Sequence, residues 1–512
     1  MSPEHPSTVT DSALARIDRV PTVIQGGMGV GVSGWRLARA VSVAGGLGVV
    51  SGVAPDLLLT RALQDGDPGG HVRRAVASYP DQDFAARTLQ RFFREQGREQ
   101  GQPYRPFTKL DLHQRIDAVR LSALGAYVQI WLAKADQSGV VGINLLEKVQ
   151  MWTPATLLGA MVAKVDVVLV GAGVPSRIPR LLDALAAGER VELPVDVEGA
   201  AADEEHVITL DPRQVLQQAQ VTLPRPGFLA IVSTHVLASY LQRDQGTAAD
   251  GFVVEGFTAG GHNAPPRRRE VDESGQAVYG DRDLIDVGKM AALGFPFWLA
   301  GGYGTPVHVA AALQSGARGV QVGTPFALSR ESGLLPQLRQ QMLDAISDGT
   351  AQVRTDPLAS PTGFPFKVFQ GAGTVADEQV RADRERQCDL GYLRVPFSRG
   401  SGVGYRCPAE PVDAYLRKGG AIEDTVGRMC LCNGLSAAVG LAQTTREGAV
   451  EPPLLTLGAD LEAVHELLAQ YPGGWSAADV VAWLTSGCDA AQLADGSDVD
   501  LPRGTVTGVA RV

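Results

Sequence analysis

Eight short apolar runs recur along this chain: TVIQGG (22–27), GLGVVS (46–51), VVGINLL (140–146), VDVVLVG (165–171), FLAIVS (228–233), GFVVEG (251–256), FPFWLAGG (295–302) and GVQVGT (319–324). Most are apolar at successive positions instead of alternating, which is the pattern of strands covered on both faces. Helix-period segments such as WRLARAVSVAG, TPATLLGAMVA and TPVHVAAALQSG fall between them. Parallel neighbours need crossover connections, and eight strand–helix units favour a closed (β/α)8 TIM barrel, an α/β fold, over an open sheet. The 60 glycines and 6% aromatic content agree, because tight βα turns consume glycine and aliphatic side chains fill parallel sheets.

Two gaps break the rhythm, and both are too long for structureless loops in a compact domain. Residues 55–138 hold amphipathic stretches around DFAARTLQRFFREQ and LHQRIDAVRLSALGAYVQIWLAKA and predict a helical insertion. Residues 188–226, with RVELPVDVEG and EEHVITLDP, predict a smaller insertion made of a hairpin and a short helix. The barrel therefore begins in residues 1–54 and resumes over 139–350. After about residue 350 the pattern stops, and a Gly/Pro-rich C-terminal extension occupies 351–512. Its late helical stretches, LEAVHELLAQY and AADVVAWLTSG, suit either packing on the barrel or a contact within a homo-oligomer.

Charge and segment content narrow the function. A formal net charge of −10 argues against nucleic-acid binding, which is driven by clustered cations releasing counterions. No apolar run reaches the roughly 18 residues that span a bilayer, and the N-terminus lacks the basic, apolar and cleavage regions of a signal peptide. A cytoplasmic protein without a membrane partner is expected. Five cysteines, an odd and sparse set, suit reduced thiols. Cys388, Cys407, Cys430 and Cys432 fall within 45 residues and could form a four-thiolate zinc site. Their spacing lacks C-x2-C knuckles, so an iron–sulfur cluster and buried free thiols stand as other readings.

The glycine motifs differ in specificity. GVGVSG, Gly29 to Gly34, satisfies a dinucleotide fingerprint. However, the acid that a Rossmann unit places at the end of its second strand is absent: Ser51 stands there, and Asp56 lies past an Ala-Pro break. LAGGYGTP (299–306) and VQVGTPF (320–326) end the seventh and eighth strands. In barrels these two loops commonly hold phosphate, since backbone N–H groups converge there and glycine allows close approach. Tight turns alone would also use Gly301, Gly302 and Gly323. The sixth strand runs into VVEGFTAGGHNAPPRRRE (253–270), which sets Gly260, Gly261 and His262 at a strand end. An imidazole near its ordinary pKa of about 6.5 can exchange a proton with, or donate a hydrogen bond to, an anionic oxygen. Arg267, Arg268 and Arg269 are either a solvated charge run or a fork for a carboxylate, a phosphate or a carrier's phosphopantetheine.

QGGM (25–28), AGGLGVVS (44–51), GINLL (142–146), VVEGFTAGGH, LAGGYGTP and GVQVGTPF resemble, in order and strand position, the nitronate monooxygenase (2-nitropropane dioxygenase-like) family of FMN-dependent barrels. The likeness covers residues 20–370 apart from the insertions, and flavin-dependent enoyl reductases share the same skeleton. It implies that Gly26, Gly27 and Met28 pass along the isoalloxazine and that Asn144 bonds its polar edge. Gly260 and Gly261, with Gly301, Gly302, Gln321, Gly323 and Thr324, would take the ribityl phosphate side, and Ser233 would contact the flavin from its strand end. His262 would face the reacting side as the catalytic residue. DPLASPTGFPFKV (356–368) would fold back towards the flavin, with Lys367 reaching it. Inosine-monophosphate-dehydrogenase-like chemistry is excluded, since it needs a loop cysteine and every cysteine here lies at or beyond Cys388.

The expectation is thus an FMN-dependent oxidoreductase, a monooxygenase turning alkyl nitronates and O2 into carbonyl compounds and nitrite. An NAD(P)H-dependent reductase of enoyl thioesters on acyl-carrier protein or CoA is the second reading, and a non-catalytic flavin-binding protein the third.

Overall fold

The computed structural model describes residues 11–493 apart from 100, 202, 401 and 446. Eight parallel strands form its centre: β1 (Val23–Gln25), β2 (Gly48–Ser51), β3 (Val141–Leu146), β4 (Val167–Gly171), β5 (Gly227–Val232), β6 (Gly251–Glu255), β7 (Phe297–Ala300) and β8 (Gly319–Val322). Each pairs with the next, β8 pairs with β1, and a parallel bridge between Ile24 and Leu47 brings β1 to β2, so the sheet closes on itself. All eight apolar runs are strands, and the TIM-barrel expectation holds.

The physical reason lies in the two faces of each strand. Inward-pointing Ile24, Val49, Leu169, Leu229, Val253 and Trp298 are all buried and make one cluster inside the ring. Outward-pointing Val50, Ile143, Val168, Phe228, Phe252 and Leu299 join the larger core under the helices. Trp298 is further fixed by its indole N–H, which donates to the Pro21 carbonyl at 3.0 Å.

Between β2 and β3 the chain forms helices Pro55–Gln64, His71–Val76, Gln82–Phe92 and Ile116–Lys134. The last of these is buried along most of its length and lies against Pro55–Gln64 and Thr153–Val162. Two glycines set these approaches: a Cβ on Gly159 would stand 1.9 Å from the Ala123 carbonyl oxygen, and one on Gly125 would stand 2.4 Å from that of Pro55. Residues 188–226 contain the antiparallel pair Val191–Pro194 and Val207–Leu210 and helix Pro212–Leu216.

The C-terminal segment wraps the open end of the barrel. Strands Val353–Asp356 and Phe366–Phe369 pair antiparallel, and Phe366 makes a bridge to His262. Hairpin Val395–Arg399 with Gly402–Arg406 is tied to residue 198 by a backbone bridge and by an Arg406–Glu198 ion pair of 2.8 Å. Helix Ala477–Leu493 packs on helix Pro306–Gln314 of the barrel, so of the two uses expected for it the structure displays the first. No helix among the described residues is long and apolar enough to cross a membrane.

Candidate functional site

The C-terminal ends of the strands converge on one large cavity, roofed by the C-terminal segment. Gly26, Gly27 and Met28 after β1, Asn144 in β3, and Gly260, Gly261 and His262 after β6 all line it. So do Gly301 and Gly302 after β7, Gln321 in β8, and Gly323 and Thr324 beyond it. Ser233 does not. β5 ends at Val232, and Thr234 caps helix His235–Leu241 by accepting from the Leu237 N–H, so the strand's period of two stops before residue 233. Ile231 forms that part of the wall.

The floor is held by a buried polar network. The Gln25 amide donates to Ser33 Oγ at 2.8 Å, and its oxygen accepts from the Val49 N–H at 3.0 Å. Ser33 Oγ also accepts from the Met28 N–H at 2.9 Å, which fixes the turn that follows β1. Gly27 lies so close to β3 that a Cβ there would be 2.3 Å from Asn144 Cβ. On the opposite side Gly301 and Gly302 adopt φ of +79° and +88°, a region that side chains rarely allow. A Cβ on Gly301 would stand 2.7 Å from the Gly256 carbonyl oxygen. The roof is keyed to this rim by two threonines: Thr456 Oγ1 accepts from the Gly261 N–H, and Thr324 Oγ1 from the Gly458 N–H, both at 3.0 Å.

Two polar groups face the cavity and call for partners there. Gln321 Oε1 is buried and makes no hydrogen bond among the described residues. The Glu255 carboxyl, at the end of β6, is pushed up to about 7 by burial. Buried polar groups normally find a partner, so a polar ligand in this cavity is the physical reading.

His262 departs from the expected ionisation. Its pKa is lowered to about 4, first by burial and then by the charge of Lys148, so the ring is neutral at pH 7. Nε2 is 2.8 Å from Ser360 Oγ, which in turn is 2.8 Å from Thr362 Oγ1. The ring meets Phe366 edge-on with 4.9 Å between centroids. Lys148 sits over the Phe364 ring and donates to the Thr362 carbonyl at 3.2 Å, and burial lowers its pKa to about 8. Segment 356–368 therefore does lie across the mouth, but Lys367 does not line the cavity. Its ammonium is buried against Thr355 Oγ1 and the Tyr279 ring.

Several wall residues escaped the sequence reading. Glu255 was legible only as an acid at a strand end. Tyr392, Leu393, Leu431 and Cys432 come from non-periodic parts of the extension. Cys432 brings a thiol to the cavity wall that the sequence positions had placed outside it, although its pKa stands well above the ordinary thiol range, first through its hydrogen bond with Cys430 and then through burial. Tyr392 Oη donates to Asp56, whose other oxygen accepts from the Trp152 indole at 3.3 Å. Asp56 thus joins the first insertion to the roof, and burial raises its pKa to about 6. Arg267, Arg268 and Arg269 are exposed and do not line the cavity; Arg268 lies 3.9 Å from Glu270. Among the described residues no three His, Cys, Asp or Glu side chains close on a point that could hold a metal ion, so the expected single-ion zinc site is not assembled.

Residues 201–356 match the family model described as nitronate monooxygenase. A nitronate monooxygenase of Pseudomonas aeruginosa is 33% identical over 126 residues, 24% of this chain and 34% of that protein. The (3aS,4S,5R,7aS)-5-hydroxy-7a-methyl-1-oxo-octahydro-1H-indene-4-carboxyl-CoA dehydrogenase of Mycobacterium tuberculosis is 31% identical over 189 residues, 37% of this chain and 46% of that protein. The chain spans less than half the length of these curated relatives. The structure of a nitroalkane oxidase from Streptomyces ansochromogenes superposes with a TM-score of 0.47 at 16% identity, over 94% of this chain and 99% of that one. The sequence matches thus make part of the chain, residues 201–356, similar to the nitronate monooxygenase family model.

Proposed function

We propose that this chain is an FMN-dependent oxidoreductase that oxidises alkyl nitronates, with O2 as the final acceptor and a carbonyl compound and nitrite as products. The observation that carries this reading is one cavity in which a glycine-lined rim at the ends of β7 and β8 stands with a neutral imidazole, His262. The residues fit the cofactor. Gln321 Oε1 and the Glu255 carboxyl need polar partners, and a ligand rich in hydroxyls and ring nitrogens supplies them. Gly301, Gly302, Gly323 and Thr324, with Gly260 and Gly261, would hold the phosphate end. Gly26, Gly27 and Met28 would run beside the ring system, and Asn144 would meet its polar edge. When bound, FMN supplies a two-electron acceptor.

The chain's own contribution is positioning. A nitronate arrives as an anion, so no base is needed to generate it. A ring with a pKa of about 4 keeps one N–H at neutral pH, and Ser360 holds its orientation. Lys148, largely protonated at pH 7, favours an anion beside His262. The apolar roof of Phe366, Leu393, Leu431 and Leu455 keeps water from the reacting face.

A second reading has its own support. The M. tuberculosis relative is named for a CoA thioester, and the exposed arginines Arg267 to Arg269 follow His262 closely in sequence. Under that reading the chain acts on an acyl-CoA or carrier-bound enoyl group with NAD(P)H as electron donor. Anaerobic mixing of the yellow holoprotein separates the two: bleaching by a nitronate alone supports the first, whereas fast bleaching by NADPH with enoyl-thioester turnover replaces it. His262→Ala is expected to lower turnover by about 10²-fold at unchanged FMN content. Full turnover in that variant removes the proposed role of the histidine.

A further inference from the structure

Four of the five cysteines come from three separate stretches of chain to line one small cavity beside the large one. None of the four is in a disulfide. The cavity measures about 10 Å³, room for a single water, so these thiols stand close around very little space. Two of them are already bonded to each other: the Cys432 thiol donates to the Cys430 sulfur.

Local geometry explains why these two meet. Side chains two residues apart inside a helix do not face each other. Cys430, however, precedes helix Leu431–Ala438, and its ψ of 89° lies outside the helical range, so its side chain can turn over the first helical turn, where Cys432 is the second residue. Two residues of extended chain span at most about 7 Å, and disulfides join Cα atoms about 4.4–6.8 Å apart, so the backbone spacing suits a bond. The other polar contact of the Cys430 thiol is weak, a 4.0 Å approach to the Gln387 carbonyl oxygen.

We propose that Cys430 and Cys432 are a redox-active dithiol, which a hydroperoxide converts to an intrachain disulfide and a dithiol reductant restores. The Cys430 sulfur attacks one peroxide oxygen: an S–O bond forms, the O–O bond breaks, and the other oxygen leaves as water or an alcohol with the Cys430 proton. The Cys432 sulfur then attacks the Cys430 sulfur: the S–S bond forms, the S–O bond breaks, and the hydroxyl leaves as water with the Cys432 proton. The two sulfurs give up one electron each, and the peroxide takes both.

The two thiols have different roles. The bond from Cys432, and after it the Arg384 guanidinium, hold the Cys430 thiol below the ordinary thiol range, against burial and against Glu451, which pairs with Arg384 at 2.6 Å. Burial instead pushes Cys388 up to about 11 and raises Cys407 as well. Cys430 and Cys432 both keep part of their surface exposed, whereas Cys407 is buried. Cys432 also lines the large cavity, as does Leu431 between the two, so the disulfide would form in the wall of that cavity whatever the cavity holds.

The full chain, purified with dithiothreitol and freed of it under nitrogen, is treated with stoichiometric hydrogen peroxide, alkylated in denaturant, digested with trypsin and weighed by mass spectrometry. Trypsin releases Cys430 and Cys432 together in one peptide, 429–446, and Cys388 and Cys407 in two others. The expected result is loss of both alkyl tags from peptide 429–446, a mass two hydrogens below that of the reduced peptide, and return of both tags after dithiothreitol. Cys432→Ser is expected to stop at a sulfenic acid on Cys430, trapped by dimedone, and Cys488→Ser to behave as the parent. Full alkylation of peptide 429–446 after peroxide, tag loss that dithiothreitol does not reverse, or a bond joining the peptides of Cys388 and Cys407 instead, overturns the proposal. The peptide masses of the unmodified chain decide the question even if a variant does not fold.

Discussion

Gly27→Ala tests whether the contact between the β1 turn and β3 shapes the large cavity. The added Cβ would stand 2.3 Å from Asn144 Cβ and 2.9 Å from Asn144 Cγ, whereas carbon atoms rest at about 3.5–4.0 Å. The nearest atom is the Cβ, which cannot swing away by a rotamer change, and Asn144 is itself buried at 8% exposure. The turn must therefore move. It is pinned by the Gly26 N–H to the Val322 carbonyl at 2.8 Å and by the Met28–Ser33 bonds at 2.9 Å, so movement strains bonds on both sides. Overpacking of this kind costs about 1–3 kcal/mol. If the cost falls on the bound state, it weakens FMN binding by roughly 5- to 150-fold. The assay is titration of FMN into apoprotein, followed by quenching of flavin fluorescence, with thermal unfolding of the apoprotein alongside. Gly280→Ala, with open space around the new methyl and φ of −135°, is the control and should change neither. A Gly27→Ala protein that binds FMN within about twofold of the parent and unfolds at the same temperature refutes the packing argument.

Two further outcomes follow from ionisation. The Glu255 carboxyl has a folded pKa of about 7 against an ordinary 4.5, so the folded protein holds a proton there that the unfolded chain has released. The carboxyl therefore costs almost nothing below pH 4.5, destabilises the fold progressively between pH 4.5 and about 7, and its cost levels off above that. Glu255→Gln is expected to raise the melting temperature of the apoprotein at pH 8 by the equivalent of at most about 3 kcal/mol and to leave it unchanged near pH 4.5; an equal gain at both pH values contradicts this. For His262 the sign is opposite: depression from 6.5 to about 4 makes the neutral ring a stabilising feature above pH 6.5, lost as the pH falls towards 4. Lys148→Met removes one of the two causes, so an NMR titration of His262 should show a higher pKa in the variant, and an unmoved midpoint rules out the Lys148 contribution.

The barrel was legible because parallel strands buried on both faces are written as unbroken apolar runs, and all eight runs became strands within about two residues of their expected ends. The glycines of the rim were legible because close backbone approach and positive φ restrict the residue type, as at Gly27, Gly301 and Gly302. The ionisation of His262 was not, because the type of a side chain says nothing about how deeply Phe366 and Ser360 enclose it. Ser233, placed at the flavin by the family resemblance alone, falls one residue past the end of its strand and does not line the cavity. The four cysteines were visible in sequence, but only the fold gathers Cys388 and Cys407 to Cys430 and Cys432.

The roof has a wider implication for how the cavity chooses its substrate. The floor and rim come from strand ends, whose positions the closed barrel dictates, while Tyr392, Leu393, Leu431, Cys432 and Leu454 come from the extension. The roof meets the rim largely through backbone groups and short polar side chains, among them Thr456 with Gly261, Thr324 with Gly458, Ser360 with His262, and the backbone of Lys367 with Gly261 and of Ala459 with Thr258, so its cavity-facing leucines can change while these contacts stay. Tyr392 is the exception, since its hydroxyl is committed to buried Asp56 and its ring lies 4.9 Å from that of Trp152. That commitment anchors the roof to helix Pro55–Gln64 at one fixed height. The space between roof and strand ends is then set by residues outside the barrel, so under the proposed function selectivity between a nitronate and a thioester would rest on the extension more than on the ring.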